Sequence, residues 1–141
     1  MISIFTDGGS RGNPGHAAIG VYIIDKDKNK IHEFGENIGI ATNNVAEYKA
    51  VVAALSWLIE NEELIEKDSN ISFFTDSQLI YSQIVGLYKI KDAKLRELLF
   101  KIREKEAQIK GNIRYFQITR EQNKNADRLV NKALDNEAKF S

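Results

Sequence analysis

The apolar residues of this 141-residue chain change rhythm near position 42, and that change restricts the folds open to it. Ahead of it they form short runs bounded by turn residues, at 2–7, 17–25 and 30–40, the pattern of strands. The polar stretch DKDKNK between the second and third runs is short enough for a hairpin, so these strands are expected to pair as an antiparallel meander. Beyond it the spacing turns helical. Val51, Ala54, Leu55 and Leu58 form one stripe of NNVAEYKAVVAALSWLIE; Leu95, Leu98, Leu99 and Ile102 form one of DAKLRELLFKIREKEAQI; Val130, Ala133 and Leu134 form one of NADRLVNKALDNEAKF. Two more strand-like runs, 71–75 and 113–118, are interleaved with these, and a short helix should follow Asp76. Strands alternating with helices pair in parallel through right-handed crossovers. The expected class is α/β, with a five-stranded mixed sheet in which three antiparallel strands precede two parallel ones.

A chain of this length supports one packed core, so residues 1–141 are expected to form a single domain. No repeat or low-complexity tract interrupts it, and its one proline, Pro14, falls in a turn. The absence of cysteine excludes disulfides, thiol catalysis and cysteine-ligated metals, and fits a cytoplasmic location. Met1 leads straight into the first strand without the pattern of a signal peptide, and no apolar run approaches the roughly 18 residues of a membrane span, so no membrane association is expected. Formal net charge is zero, yet the charges are uneven: residues 1–85 carry 6 Lys+Arg against 12 Asp+Glu, and residues 86–141 carry 14 against 8. A basic half is a cue for an anionic partner, although two halves folded together would also neutralise each other.

The tripeptide Phe-Thr-Asp ends two of the strand-like runs, at Phe5 to Asp7 and at Phe74 to Asp76. Ligands of open α/β sheets bind beyond the carboxyl ends of the strands, and parallel neighbours lie about 4.8 Å apart, which would bring both aspartates within reach of one cation. Either aspartate alone would serve equally as a cap for the element that follows. Glu47 shares the helical face of Val51, Ala54 and Leu58 near the helix start and should lean on the sheet, while its spacing from Asn44 also suits a capping box. Asp127 opens the last helix on the face of Val130 and Leu134, where the helix dipole alone would favour it. Local roles leave unexplained why four carboxylates fall where this topology can gather them at one sheet edge. Hard oxygen ligands without cysteine or a nearby histidine suit Mg²⁺ or Mn²⁺, and two such ions about 3.5–4 Å apart would support in-line phosphodiester hydrolysis.

Four stretches, TDGGSRGNPG from Thr6 to Gly15, TNNVAEY from Thr42 to Tyr48, TDSQ from Thr75 to Gln78 and NKNADRLVNKA from Asn123 to Ala133, resemble the type 1 ribonucleases H, in family order and over nearly the whole chain. The resemblance implies a ribonuclease H-like fold with helices on both sheet faces, the twin aspartates ending adjacent first and fourth strands. It implies endonucleolytic hydrolysis of the RNA strand of an RNA/DNA hybrid, leaving 5′-phosphate and 3′-hydroxyl ends, by a protein expected to be monomeric. By position, Asp7 would bridge two metal ions, Asp127 would complete the site of the ion that activates water, and Glu47 with Asp76 would hold the ion on the leaving-group side. Asn13, Asn43, Asn44 and Gln78 match minor-groove contacts, and Glu47 would also sense the 2′-hydroxyl that distinguishes RNA. Thr42 matches a phosphate site for the DNA strand at a helix start, a role compatible with being its N-cap. Gly8, Gly9 and Ser10, with Gly12 and Gly15, would let a duplex backbone come close, though a hairpin turn would use the same residues. No Walker lysine follows them, which excludes a P-loop. Tyr88, Lys89 and Lys91, between helices, would grip the DNA strand.

The chain departs from the family pattern in two places. Many bacterial members carry a histidine in the loop before the last helix; here that loop reads ITREQNKNAD, and His16 and His32 lie elsewhere. Arg120 or Glu121 would have to substitute, and Arg120 would stabilise phosphate charge without titrating near neutrality. The short link from Gly86 to Lys91 leaves no room for the extra basic helix of some members, and no hybrid-binding domain is expected ahead of Met1, so hybrid binding is expected to be modest and salt-sensitive. The alternatives are a non-catalytic module for hybrid or double-stranded RNA, and a nuclease of related fold acting on DNA. Binding alone gains nothing from acids clustered where phosphate must sit, and the TNN and GNPG segments favour ribose sensing.

Overall fold

The computed structural model describes residues 1–140, with the side chains of residues 1–137. Strands β1 (Ile2–Gly12), β2 (Gly15–Asp25) and β3 (Lys30–Ala41) form the antiparallel meander. They are followed by α1 (Asn43–Glu60), β4 (Asn70–Thr75), α2 (Gln78–Ile84), α3 (Ala93–Glu106), β5 (Asn112–Gln117) and α4 (Lys124–Phe140). The five strands make one sheet in the order β3-β2-β1-β4-β5, with β4 parallel to β1 and β5 parallel to β4. The mixed sheet and element order anticipated from the sequence are present.

Side chains alternate between sheet faces, and each face has its own core. Ile4, Val21, Ile23, Ile71 and Phe73 pack with Tyr48, Leu55 and Leu58 of α1, Ile80 and Ile84 of α2, and Leu98 and Ile102 of α3. On the opposite face Ala18 packs with Val130, Ala133 and Leu134 of α4. The apolar stripes expected on these helices are the buried ones, Leu99 alone being only partly covered. Truncating a fully buried Leu55 or Leu58 to alanine would cost about 2–5 kcal/mol by the usual cavity penalty.

Two expected boundaries move, for one reason. The first strand does not stop at Asp7: its parallel ladder with β4 ends at Phe5 and Phe74, but its antiparallel ladder with β2 runs on to Gly12 and Gly15. The apolar run marks only the part of β1 flanked on both sides; beyond it Gly8 to Gly12 remain paired on one side without being hydrophobic. β2 accordingly begins at Gly15 and not at residue 17. The capping box from Asn44 to Glu47 does not form either. Thr42 caps α1, its Oγ1 accepting the Val45 N–H at 3.2 Å, and Glu47 is drawn to β1 instead. No helix among the described residues is long and apolar enough to cross a membrane.

Candidate active site

The two Phe-Thr-Asp tripeptides lie side by side. Phe5 and Phe74 are register partners whose rings stack 4.8 Å apart, and Asp7 and Asp76 follow two residues later, where the parallel strands part. A cleft of about 500 Å³ opens there, lined by Asp7, Glu47, Asp76 and Asp127 among others. Ligand oxygens of Asp7, Glu47 and Asp76 all lie within 4.8 Å of one another. Asp127 is exposed and lines the same cleft from α4, outside that tight group of three.

Both helices that carry acids sit directly on glycine. A Cβ on Gly8 would come within 2.3 Å of the Ala46 carbonyl carbon, so only glycine lets the first turns of α1 approach β1 this closely. The Gly8 N–H donates to Glu47 Oε1 at 2.7 Å, and Thr75 Oγ1 on β4 makes a longer contact of 3.4 Å to Oε2. On the other face Gly20 and Gly35 are register partners on β2 and β3. A Cβ on Gly20 would meet the Ala126 carbonyl oxygen at 2.3 Å, and one on Gly35 the Leu129 carbonyl oxygen at 2.5 Å. This paired notch seats α4 on either side of Asp127.

Crowding changes the acids. Burial pushes the Asp7 carboxyl up to about 6, the charges of Asp76 and Asp127 adding to the rise, while a hydrogen bond with Glu47 and the Gly8 N–H oppose it. Glu47 is raised well above the usual carboxylate range, first by burial and then by the charge of Asp7 and the hydrogen bond they share, which on this side opposes ionisation. Both carboxyls are therefore held toward their protonated forms, each opposing the ionisation of the other.

The other anticipated residues divide between the cleft and its surroundings. Gly8, Gly9, Ser10, Asn43, Asn44 and Arg120 line it. Asn13 and Thr42 stand behind Asn43: the Asn43 N–H donates to Asn13 Oδ1 at 3.0 Å, and Asn43 Oδ1 accepts the Ser10 N–H at 2.8 Å. Gln78 is exposed at the start of α2, next to Ser77, which does line the cleft. Tyr88 and Lys89 are exposed in the link between α2 and α3 and do not line it. Sequence reasoning passed over Arg11, Ser77 and Asn131 in the lining, the notch of Gly20 and Gly35, and Asn123 beneath Asp76. Arg11, Ser77, Asn123 and Asn131 fall within the four stretches quoted from the sequence, and Asn123 also stands one helical turn from Asp127, whereas nothing local marked the glycine notch.

The RNase H family model matches residues 1–135. A ribonuclease HI of Halobacterium salinarum is 36% identical over 134 residues, which are 95% of this chain and 64% of that protein. A bifunctional protein of Mycobacterium tuberculosis is 35% identical over 135 residues, 95% of this chain and 35% of that protein. The chain thus spans less than two thirds of the length of these relatives. Among solved structures, LC11-RNase H1 in complex with RNA/DNA hybrid matches with a TM-score of 0.90 at 41% identity, over 98% of this chain and 99% of that one. RNase H1 from Halobacterium salinarum matches with a TM-score of 0.87 at 36% identity, over 96% of this chain and 98% of that one.

Proposed function

Because the chain belongs to the RNase H family, we propose that it is a metal-dependent endonuclease that hydrolyses the RNA strand of RNA/DNA hybrids, leaving 5′-phosphate and 3′-hydroxyl ends. The observation that carries this reading is the convergence of Asp7, Glu47 and Asp76, whose oxygens lie within 4.8 Å of one another in an open cleft. The solved relative that holds an RNA/DNA hybrid supports the substrate class. We read the protein as a monomer working in the cytosol, in keeping with its cysteine-free sequence.

The donor set fits hard divalent cations. It is all carboxylate oxygen, and the burial and mutual charge that raise Asp7 and Glu47 mark a crowded site whose negative charge a cation would neutralise. In this reading Asp7 would serve both of two ions, Asp127 would complete the site on the side of the attacking water, and Glu47 with Asp76 would hold the ion on the leaving-group side, Mg²⁺ being the natural metal and Mn²⁺ a substitute. Bound there, the ions would supply Lewis acidity at both the attacking and the leaving oxygen of an in-line displacement.

The remaining work falls to the chain's own residues. Glu47 is tethered at Oε1 and touched at Oε2, contacts that orient its carboxyl toward the cluster. The Oδ1 atoms of Asn13 and Asn43 are engaged by backbone N–H groups, which leaves their amide N–H donors for substrate. Every base pair presents acceptors in the minor groove, so donors there recognise a duplex without reading its sequence. Asn44 and Gln78 would add to this contact beside Gly8, Gly9 and Ser10, and the 2′-hydroxyl would set RNA apart from DNA. Arg120 would meet phosphate charge across the cleft, and Thr42 would present the dipole of α1 to a phosphate of the DNA strand.

The test is direct. Labelled RNA/DNA hybrid, RNA duplex, DNA duplex and a four-way junction are incubated with Mg²⁺ and either wild-type protein or Asp7→Asn. Cleavage of the hybrid's RNA strand, abolished by the substitution, is expected. Hybrid binding without cleavage by the wild type would make the protein a binding module, and cleavage confined to DNA substrates would make it a different nuclease of this fold.

A further inference from the structure

We infer that Asn123 is a positioning residue for the acidic cluster, holding the Asp76 carboxylate against β1 at the height that cation binding requires. Asn123 closes the helical turn Glu121–Asn123 that leads into α4, and it is 1% exposed. Its Nδ2 donates twice, to the carbonyl oxygen of Thr6 at 2.9 Å and to Asp76 Oδ2 at 3.0 Å. One amide group thus ties together the residue preceding Asp7, the carboxylate of Asp76 and the segment that delivers Asp127. Among the described residues this is the one hydrogen bond that the Asp76 carboxylate receives.

The orientation of the amide is forced. Rotated by half a turn, Oδ1 would face a carbonyl oxygen and a carboxylate, two acceptors with no proton to share. In the orientation present, Oδ1 is the one buried side-chain polar atom among the described residues without a hydrogen-bond partner. Leaving a buried acceptor unpaired disfavours folding, and an apolar side chain of the same size would remove that penalty. Packing alone therefore does not account for asparagine here. Two donors aimed at Thr6 and Asp76 do.

This inference rests on the reading of Asp7, Glu47, Asp76 and Asp127 as metal ligands, and its test separates the two. Mn²⁺ binding to substrate-free protein is measured by calorimetry for wild type, Asp7→Asn, Asn123→Ala and the nearly isosteric Asn123→Leu. Steady-state kinetics on hybrid and thermal unfolding are followed in parallel. Loss of a residue that orients a ligand typically weakens metal affinity about 10–100-fold. Both Asn123 variants are expected to lose about tenfold or more in Mn²⁺ affinity and in kcat, to keep KM for the hybrid within about twofold, and to stay folded at the assay temperature. Wild-type Mn²⁺ affinity in a folded Asn123 variant overturns the inference. So do losses that merely follow unfolding, or failure of both variants to fold, since Asn123 would then serve the fold alone. If Asp7→Asn also binds Mn²⁺ like the wild type, the metal-site reading itself fails.

Discussion

The backbone N–H of Gly8 donates to Glu47 Oε1 at 2.7 Å, joining β1 to α1 across 39 positions of the chain. The bond exists because nothing projects from Gly8 toward the helix: a Cβ would lie 2.3 Å from the carbonyl carbon of Ala46 and 2.5 Å from the Glu47 nitrogen, both rigid backbone. Gly8→Ala must lift the start of α1 off the sheet, at a cost of about 1–3 kcal/mol by the usual overpacking penalty. A lower urea midpoint is expected, with turnover on hybrid reduced about tenfold or more because Glu47 leaves the cluster. Unchanged turnover in a folded variant would show that α1 can yield without moving its carboxylate.

Stability of the metal-free protein should depend on pH through Asp7. Its carboxyl is raised to about 6, above the roughly 4 of an unfolded chain, so between those values the folded state binds more protons than the unfolded one. Stability conferred by this group is complete below about pH 4 and falls as pH rises toward about 6, by on the order of 1–3 kcal/mol, then levels off. Other carboxylates drift the opposite way, Asp25 and Glu33 being held below their usual range chiefly by hydrogen bonds. The difference between wild type and Asp7→Asn in chelator-treated denaturation curves isolates the effect. Parallel pH profiles for the two would contradict it.

Removing and restoring metal extends the same logic. In the proposed reading Mg²⁺ would bind the native cluster and not the unfolded chain, so it should raise the melting temperature. The gain should be larger at pH 7 than at pH 5, because protons compete with the ion for the raised carboxyls of Asp7 and Glu47. Differential scanning calorimetry with and without chelator measures it, and a gain independent of pH would count against competition between protons and metal at the cluster.

Seating of α4 can be probed without replacing an acid, although Gly20 is itself the register partner of Asp7. Gly20→Ala would drive a methyl group into the Ala126 carbonyl oxygen, and Gly35→Ala one into that of Leu129. Each should cost about 1–3 kcal/mol and lower kcat by displacing Asp127. The two residues are register partners pressing on adjacent turns of one helix, so their effects should combine non-additively. Strict additivity in urea denaturation would show that the strands yield independently.

The link between α2 and α3 bears on affinity. Lys89 is exposed there beside Tyr88, which is 49% exposed. Lys89→Ala should reduce the slope of log K against log salt for hybrid binding by about 1, as expected for one lost phosphate contact. Tyr88→Ala should weaken binding with the slope intact. Fluorescence anisotropy across a salt series reads both; equal slopes for wild type and Lys89→Ala would remove that lysine from the interface.

Much of this architecture was legible in single stretches of sequence. Val51, Ala54, Leu55 and Leu58 announce the buried face of α1, and the short apolar runs bounded by turn residues announce the meander. Thr42 reads as a cap and is one. The twin tripeptides read as matching ends of neighbouring strands, and Phe5 and Phe74 are in register. Where local reading failed, a distant partner had outbid a near one. Asn44 and Glu47 have the spacing of a capping box, but the Gly8 amide on β1 takes the carboxylate. Asp7 looks like the last residue of a strand, but β2 keeps pairing with β1 as far as Gly12.

The sequence by itself determined which segments are strands and helices, their order, and which four carboxylates fall near element ends, because periodicity and turn chemistry act between residues a few positions apart. Only the tertiary structure decided that Asp7, Glu47 and Asp76 crowd within 4.8 Å while Asp127 stays at the rim, that Gly20 and Gly35 form the bed of α4, and that Asn123 turns its amide to Asp76. Those facts depend on how closely backbones distant in the chain can approach, and packing sets that distance.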